Sequence, residues 1–564
     1  MESPSTQPSA TQTLIFNDTT LRDGEQAPGN TMTEQEKTVI ARQLVDMGIP
    51  AIEAGFPAAS PGDFRAVERI AQDIGSLTLP VASPASVHPR ISGLARLEHN
   101  DIDAVLRSVR GAPHRGVHTF VSTSSEQMVK FADKLRRMGK NPESMNDFID
   151  AVVLPGIAEE LDYIRETDPE TVIQFSPEDW TRSDREVSAQ VILAAAQHGA
   201  HIINLPDTVG VGIPRIIHRR VADVRSMLDG FDFPHVQISW HGHNDSAQGV
   251  ACAMEALYGG AEQLETTILG LGERTGNFSF EGMLAALDAN WEEHERITGM
   301  KITDTLVRAQ VMHTALLVAA TLGIRIPREH PIVGENAFAH EAGIHQQGVI
   351  AGRRAGRINV YGNLVPERYG AKEKLILGKH SGWAGIKDYL QNNALPFREG
   401  DRAQFVARLS AAADNRRKGL SDAEVLHHVY YPTVITLTGG AYITDINRHG
   451  ANGALRSVTV ALRGDGNVEG RATQPDEGAV DALMQALKQC MPGVEVQSFS
   501  VRNKPGEEGA SATAVAHVIL KNGMEVSGEA ESHDTEMAGL LAVRDAFNAL
   551  WACEQYKEIS GSRA

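Results

Sequence analysis

Eight short apolar runs, separated by longer stretches with helical periodicity, occupy residues 14 to 290 of this 564-residue chain. A strand that is followed each time by a helix is joined to a parallel neighbour by a crossover, so the alternation predicts an α/β fold. Eight repeats are the number in a (β/α)8 barrel, or TIM barrel, and a doubly wound open sheet is the competing arrangement. The strands are predicted at residues 14–17, 51–54, 79–82, 117–122, 172–175, 202–205, 236–240 and 263–267.

The helix after the first strand carries its own start signal. Thr33 is followed three residues later by Glu36, the spacing of a capping box. In this motif the hydroxyl and the carboxylate accept from each other's backbone amides. A helix is therefore predicted to begin directly after Thr33.

The chain is too long for one hydrophobic core, because single domains stop growing at about 250 to 300 residues. After residue 300 the sequence becomes mostly helical, and beyond residue 431 it turns to Thr- and Val-rich strands with Gly turns. We predict a tail at 1–13, a barrel at 14–295, a helical connecting subdomain at 296–430, a duplicated C-terminal α+β domain at 431–556 and a second tail at 557–564.

The C-terminal domain is predicted to be duplicated because similar residues recur in it at a constant offset of 58 positions. Repeated strand, turn and helix patterns at a fixed spacing indicate a duplicated module. Such a module either binds a small ligand at its seam or serves as a scaffold or dimer-forming domain. The first copy contributes Val460, Leu462, Val468, Gly470, Ala472, Asp476 and Leu483, which fall on Val518, Leu520, Val526, Gly528, Ala530, Asp534 and Leu541.

Composition excludes several classes of partner. A formal net charge of -19 opposes binding to nucleic acid and to anionic lipid. No apolar run approaches the ~18 to 20 residues of a membrane span, and the first residues lack the basic and apolar regions of a secretory signal. The three cysteines are far apart, which indicates neither a disulfide framework nor a thiolate metal site. We expect a cytoplasmic protein.

Two histidines at the end of the seventh predicted strand indicate a metal site. His241 and His243 are two residues apart and so face the same side of a strand. Asp23 follows the first strand, and a barrel brings the carboxyl ends of its strands to one face. Two imidazoles and one carboxylate suit a borderline divalent cation. Non-haem iron oxygenases use the same set, but on an antiparallel fold that this α/β pattern argues against.

Several longer segments resemble the family of 2-isopropylmalate, homocitrate and citramalate synthases. The resemblance covers nearly the whole chain and includes a C-terminal region similar to a leucine-sensing domain. The segments that carry it are residues 18–29 (DTTLRDGEQAPG), 52–63 (IEAGFPAASPGD), 175–179 (FSPED), 205–210 (LPDTVG), 241–245 (HGHND), 270–277 (GLGERTGN) and 334–346 (GENAFAHEAGIHQ).

The resemblance implies a Claisen-type condensation, in which acetyl-CoA loses a methyl proton, attacks the ketone of a 2-oxo acid and is then hydrolysed at the thioester. Asp23, His241 and His243 would bind Mg, Mn or Zn, with Asn277 beside them. The metal would chelate the oxo acid and stabilise the developing alkoxide, and Arg22 would hold charge on the polarised carbonyl. Dependence on K+ is left open.

Further site residues follow from the same resemblance. Gln26, His118, Ser176, Glu178 and Thr208 match positions that line the oxo-acid pocket, and Glu178 is also a candidate proton acceptor. His345 and Tyr361 match residues that the partner subunit of a homodimer, or of a higher oligomer, brings over the pocket. They are the candidates for acid and base work on acetyl-CoA, because an imidazole titrates near neutrality.

The side chain of the oxo acid is the remaining question. Homocitrate synthases have an arginine at the position that aligns with Gln174, and Leu94 here supplies an apolar wall instead. This favours 2-oxoisovalerate, giving 2-isopropylmalate for leucine biosynthesis, with pyruvate and citramalate synthase activity as the alternative. Trp180 stands where a small residue is usual, so it either narrows the pocket or covers the barrel rim.

The sequence also bears on which effector regulates the protein and on whether the protein is a synthase at all. Leucine is the expected effector, although residues 475–481 and 528–535 depart from the usual sequence motifs of the leucine-sensing domain. A metabolite sensor without turnover and a metal-dependent lyase are the other classes considered.

Overall fold

The structure, a computed structural model, describes residues 13–80, 87–302, 304–357, 360–414, 419–440, 443–449, 457–463, 466–471, 478–504, 513–521 and 525–560. The chain forms two compact units. The first comprises Met1–Phe338 and Gly362–Glu373, and the second comprises Ala339–Tyr361 and Lys374–Ala564. Most of the predicted tails, residues 1–12 and 561–564, lie outside the described residues.

Eight parallel strands of the first unit close into a barrel, as predicted. The order is sequential from β2 to β8, and β1 pairs with both β8 and β2, which completes the ring. A two-residue strand, β9, adds to the start of β1. The strands are β1 (Thr13–Asp18), β2 (Ala51–Glu53), β3 (Arg90–Arg96), β4 (Arg115–Ser122), β5 (Val172–Glu178), β6 (Ile202–Asp207), β7 (Gln237–Gly242), β8 (Gln263–Thr266) and β9 (Lys301–Ile302).

The prediction of the third strand was wrong. Residues 79 and 80 are not in a strand and residues 81–82 lie outside the described residues, whereas β3 runs from Arg90 to Arg96. Arg90 and Ser92 interrupt the apolar pattern because they face the barrel interior, where Arg90 Nη2 donates to Gln263 Oε1 at 2.6 Å. A polar lumen therefore concealed this strand.

Helices surround the barrel and pack their apolar faces on its outer surface. The first of them begins with the predicted capping box, in which Glu36 Oε2 accepts from Thr33 N at 2.7 Å and Glu36 N donates to Thr33 Oγ1 at 3.3 Å. The helices are α1 (Glu34–Met47), α2 (Pro61–Asp73), α3 (His99–Val109), α4 (Ser125–Met128), α5 (Ala132–Arg137), α6 (Met145–Phe148), α7 (Leu154–Thr167), α8 (Arg185–Gln197), α9 (Pro214–Gly230), α10 (Gly249–Tyr258), α11 (Phe280–Ala289), α12 (Trp291–Thr298) and α13 (Val311–Leu322).

The second unit has its own buried core. Helices come first and two three-stranded antiparallel sheets follow, each with one helix packed on it. Its helices are α14 (Gly343–Arg354), α15 (Trp383–Asn392), α16 (Arg402–Ala413), α17 (Asp422–Val425), α18 (Tyr431–Leu437), α19 (Ala479–Cys490) and α20 (Thr535–Ser560). Its strands are β10 (Ala339–His340), β11 (Lys374–Leu375), β12 (Ile443–His449), β13 (Ser457–Leu462), β14 (Gly466–Arg471), β15 (Glu495–Lys504), β16 (Thr513–Lys521) and β17 (Glu525–Ser532).

The two sheet-and-helix modules share a close approach of strand to helix. A Cβ added at Gly470 would lie 1.8 Å from the carbonyl oxygen of Ala482, and one added at Gly528 would lie 2.1 Å from that of Ala542. The two glycines are 58 positions apart, as predicted, but the helix residues are 60 apart. The proposed match of Leu483 with Leu541 is therefore wrong. The matches of Val460 with Val518 and of Leu462 with Leu520 are wrong too, because Gly470 pairs with Val458 whereas Gly528 pairs with Val518, again 60 positions apart. Ala472 and Asp476 lie outside the described residues.

Within the described part of the chain, each helix is too short or too polar to cross a lipid bilayer.

Candidate active site

A cavity of about 260 Å³ opens at the carboxyl ends of the barrel strands. This is the face at which TIM barrels place their active sites. Ten of the predicted site residues line it, and Asn277 lies directly behind them. The lining consists of Arg22, Asp23, Gln26, Phe56, Leu94, His118, Phe120, Ser176, Glu178, Asn204, Pro206, Thr208, His241, His243, Glu265, Glu273 and Arg274.

A single wide helical turn, Thr20–Gly24, carries Arg22 and Asp23 into this cavity directly after β1. The backbone amide of Asp23 donates to the carbonyl of Thr19 at 2.8 Å. The Thr20 hydroxyl donates to Asp18 Oδ2 at 3.1 Å and accepts from the amide of Ile268 at 2.9 Å. The turn is thus fastened to the segment after β8, which places Arg22 and Asp23 beside the histidines of β7.

Asp23, His241 and His243 form one buried group whose potential ligand atoms all lie within 4.8 Å of one another. His241 Nε2 is 3.7 Å from Asp23 Oδ2, and the two imidazole rings are 5.1 Å apart. Asn277 Nδ2 donates to Asp23 Oδ2 at 2.7 Å. His243 Nδ1 and Asn277 Oδ1 are buried without a hydrogen-bond partner among the described residues. Two imidazoles, one carboxylate and unpartnered buried acceptors fit a divalent cation.

Burial and neighbouring charges shift the pKa values of Asp23 and His243. Burial opposes ionisation of Asp23, but Arg22 and the two histidines lower the pKa of its carboxyl to about 2. Burial and the neighbouring His241 lower the pKa of His243 to about 4. Near neutral pH Asp23 is therefore a carboxylate and His243 a neutral imidazole, and both forms can bind a metal.

Arg22 is held between two carboxylates. Its Nε and Nη2 donate to Glu53 Oε2 at 3.1 and 3.0 Å, and its Nη1 lies 3.1 Å from Asp23 Oδ1. Burial alone would lower the pKa of the guanidinium, but Glu53 and Asp23 raise it above its ordinary value. Glu53 also contacts His118 Nδ1 at 3.0 Å, so Arg22 and His118 are fixed by the same carboxylate.

The opposite wall combines apolar and hydroxyl groups. Leu94 lies on β3 and lines the cavity, as do Phe56, Phe120 and Pro206. Ser176 contacts His118 Nε2 at 2.7 Å and accepts from Asn204 Nδ2 at 2.9 Å.

Two polar residues complete the rim of the cavity. Thr208 accepts from the amide of Asp179 at 3.0 Å, so its own proton remains available to a ligand. Glu178 accepts from the Ser122 hydroxyl and is paired with Lys130 at 3.2 Å.

Gln174 and Trp180 do not line the cavity. Gln174 faces the barrel interior below Ser176, where it donates to Glu265 and accepts from Gln263. Trp180 is buried on the outer side, at 6.3 Å from Trp240 and under the guanidinium of Arg220 at 4.0 Å. Trp180 therefore does not narrow the pocket.

His345 and Tyr361 belong to the second unit, where their rings stack with centroids 4.3 Å apart. Both side chains are exposed. Tyr361 lies across Gly348 of α14, and a Cβ at that glycine would come within 2.2 Å of the ring. The two candidate acid and base residues are thus held together as one pair.

Sequence reasoning missed the buried carboxylates Glu53 and Glu265. Both lie within barrel strands and are at most 1% exposed. A signal was present in the sequence, because Glu53 interrupts the apolar run at 51–54 and Glu265 lies within the strand predicted at 263–267. A charge inside a buried strand requires a partner, and the predicted histidines and Arg22 are those partners.

Three family models match successive parts of the chain. The HMGL-like model matches residues 13–311, the homocitrate synthase post-HMGL domain-like model matches 332–417, and the LeuA allosteric (dimerisation) domain matches 441–551. The first covers the barrel with the site described above. Whole-length relatives give the same result. The 2-isopropylmalate synthase of Pyrococcus furiosus is 32% identical over 94% of this chain and 98% of its own length. That of Synechococcus sp. strain CC9605 is 35% identical over 97% of this chain and 96% of its own.

The chain belongs to the 2-isopropylmalate synthase family. The 2-isopropylmalate synthase of Bacillus licheniformis, 32% identical over 95% of this chain and 96% of its own, agrees. The resemblance predicted from sequence is confirmed, and so is the predicted fold class. As a member of this family the chain is an enzyme, an acyltransferase that uses acetyl-CoA.

Proposed function

We propose that this family member condenses acetyl-CoA with 2-oxoisovalerate to give 2-isopropylmalate and CoA, in a reaction that depends on a divalent cation. The observation that carries the proposal is a buried Asp23, His241 and His243 group that opens on an apolar-walled cavity of about 260 Å³. The names of the relatives support the same reaction.

Asp23, His241 and His243 would hold the cation. When bound, a divalent cation polarises the ketone of the 2-oxo acid and makes it a better electrophile. Arg22 adds a fixed positive charge beside the carbonyl. Because Glu53 and Asp23 already hold the guanidinium in place, it needs no reorganisation when negative charge develops, which is the condition for strong electrostatic stabilisation.

The hydroxyls and the apolar wall would orient the oxo acid. Thr208 has a proton to donate to the substrate carboxylate, since its oxygen already accepts from Asp179 N. Leu94, Phe56 and Phe120 suit a branched aliphatic side chain. The arginines of the lining are already engaged, Arg22 by Glu53 and Arg274 by Asp245 at 2.9 Å, so a second substrate carboxylate has no free guanidinium to pair with.

Proton transfer is assigned to the exposed His345 and Tyr361 pair. Glu178 is a weaker candidate as a base, because Lys130 and Ser122 occupy its carboxylate. His118 is also occupied, with Glu53 at Nδ1 and Ser176 at Nε2. We propose that the pair acts across a homodimer, which the matched LeuA allosteric (dimerisation) domain supports.

The substrate test measures thiol release from acetyl-CoA with a panel of 2-oxo acids, after chelation and after readdition of Mg, Mn or Zn. We expect release with 2-oxoisovalerate that stops on chelation and returns with metal. Release with pyruvate but not 2-oxoisovalerate would support citramalate synthase activity instead. Metal binding without release from any oxo acid would support a sensor. His241→Ala should abolish turnover, whereas His198→Ala, on the outside of the barrel and paired with Asp162, should not.

The dimer test uses complementation. Asp23→Asn and His345→Ala are each expected to be inactive, and coexpressed subunits should regain up to a quarter or so of the activity if the pair serves the partner's barrel. No recovery in verified mixed dimers would place the pair elsewhere.

Leucine is the proposed effector, and the LeuA allosteric (dimerisation) domain supports it. The same thiol assay with leucine, isoleucine and valine tests this. Absence of inhibition by leucine would contradict it.

A further inference from the structure

We propose that Glu265 is a positioning residue for the metal site. Its carboxylate holds Nδ1 of His241 and thereby directs Nε2 of that ring to the cation. The inference rests on the proposed metal-dependent function and concerns a residue that lies behind the ligands rather than among them.

The two sides of the His241 ring face two different carboxylates. Glu265 on β8 is the direct strand partner of His241 on β7. Its Oε2 lies 3.2 Å from His241 Nδ1, while Nε2 on the far side lies 3.7 Å from Asp23 Oδ2. Nε2 is therefore the ring nitrogen that faces the proposed metal site, together with Asp23 and His243. If Nδ1 carries the proton toward Glu265, the lone pair of Nε2 points to the cation.

The contact between His241 and Glu265 is close but not aligned. Oε2 lies off the direction of the ring N–H, and both His241 Nδ1 and Glu265 Oε2 are buried without a hydrogen bond to any other described residue. Two buried polar atoms without an aligned hydrogen bond lower the stability of the folded protein. In the proposal, alignment of the Nδ1–H bond with Oε2 satisfies both atoms.

Glu265 is anchored from below and cannot follow the ring. Its Oε1 accepts from Gln174 Nε2 and from Asn17 Nδ2, the latter at 3.4 Å. Gln263 Nε2 donates to Gln174 Oε1 at 2.9 Å, and Arg90 Nη2 donates to Gln263 Oε1 at 2.6 Å. A continuous series of hydrogen bonds thus links Glu265 to the far part of the lumen.

Glu265 has two further neighbours that are not proposed metal ligands. Its Oε1 lies 3.8 Å from His118 Nδ1, and Arg22 is close enough to stabilise the charged form. His243 differs, since among the described residues its buried Nδ1 has neither a hydrogen bond nor a paired carboxylate of the kind that Glu265 offers to His241. The positioning contact is therefore specific to one of the two histidines. Carboxylates behind metal-bound histidines typically contribute 10- to 100-fold to metal affinity.

The test measures Zn²⁺ affinity of the full-length apoprotein by competition with a chromophoric chelator. Glu265→Gln preserves the shape but removes the charge, and we expect it to bind Zn²⁺ about 10- to 100-fold more weakly. Glu281→Gln is the matched control. Glu281 is equally buried in the same barrel, and its carboxylate accepts from the amide of Leu269 rather than from a histidine. The control should bind as the wild type does.

The measured Zn²⁺ affinities of the two variants decide whether Glu265 positions His241. Wild-type affinity in a folded Glu265→Gln variant overturns the inference. An equal loss in Glu281→Gln also overturns it, because it would show a general effect of changing a buried carboxyl group. If circular dichroism shows that Glu265→Gln does not fold, Glu265→Asp takes its place. The shortened carboxylate should give an intermediate loss, and unchanged affinity would overturn the inference. Failure of the wild type itself to bind metal would instead refute the proposed metal dependence.

Discussion

The ion pair between Arg22 and Glu53 offers a way to separate stability from catalysis. Arg22→Met removes the guanidinium that holds Glu53 and Asp23, and Glu53 is fully buried. Breaking one partner of a buried pair costs about 3 to 5 kcal/mol. In a unit of this size that corresponds to a fall in Tm of about 4 to 7 °C.

The same substitution should lower kcat about 10²- to 10³-fold, the range found when a preorganised donor is removed from a developing oxyanion. The second step adds Glu53→Gln, which neutralises the stranded carboxylate and keeps an oxygen for His118. We expect the double variant to regain most of the lost Tm and none of the lost turnover.

Differential scanning calorimetry and the thiol-release assay measure these two quantities on the same samples. An unchanged Tm in Arg22→Met would refute the buried ion pair as a source of stability. Recovery of turnover in the double variant would show that Arg22 acts only by neutralising Glu53, and the assignment of Arg22 to the carbonyl would fail.

Three further substitutions, at Gly528, Asp23 and Leu94, should change the Tm or the substrate preference in a stated direction. Gly528→Ala should lower the Tm of the second unit, because its Cβ would meet the carbonyl of Ala542 at 2.1 Å, whereas Gly400→Ala has nothing within 4 Å and should be neutral by calorimetry. The pKa of Asp23, lowered to about 2 from 3.8, means that its stabilisation is present above pH 3.8 and lost as pH falls toward 2. Asp23→Asn should therefore flatten the Tm profile of the chelated protein over that range. Leu94→Ala should raise kcat/KM for longer 2-oxo acids relative to 2-oxoisovalerate by about tenfold, and an unchanged ratio would remove Leu94 from the specificity wall.

The barrel was predictable where a strand contains adjacent buried apolar residues, as at Ile202 and Ile203. It was not predictable at β3, where Arg90, Ser92 and Gly93 break the apolar pattern. The reason is physical, because lumen-facing positions of this barrel carry hydrogen-bonded polar groups instead of the usual packed aliphatic side chains. Local hydrophobicity cannot distinguish such a strand from a loop.

The candidate ligands were predictable because Asp23, His241 and His243 are residue types with a specific chemistry at strand ends. Glu53 and Glu265 were not predicted, since their role depends on which strands become neighbours. The register that sets His241 beside Glu265 arises only when β7 and β8 pair. The offset of 60 in the second helices was also hidden, because Ala542 follows Gly528 by 14 positions whereas Ala482 follows Gly470 by 12.

The chain crosses between its two compact units three times, after residues 338, 361 and 373. The short return segment Gly362–Glu373 carries Tyr369, which is fully buried in the barrel unit and donates to Asp288 at 2.7 Å. A fragment cut at residue 338 would lose this phenol and leave the Asp288 side chain to Arg308. Isolating the barrel for study therefore calls for keeping the return segment, by a fused or circularly permuted gene, rather than for a simple truncation.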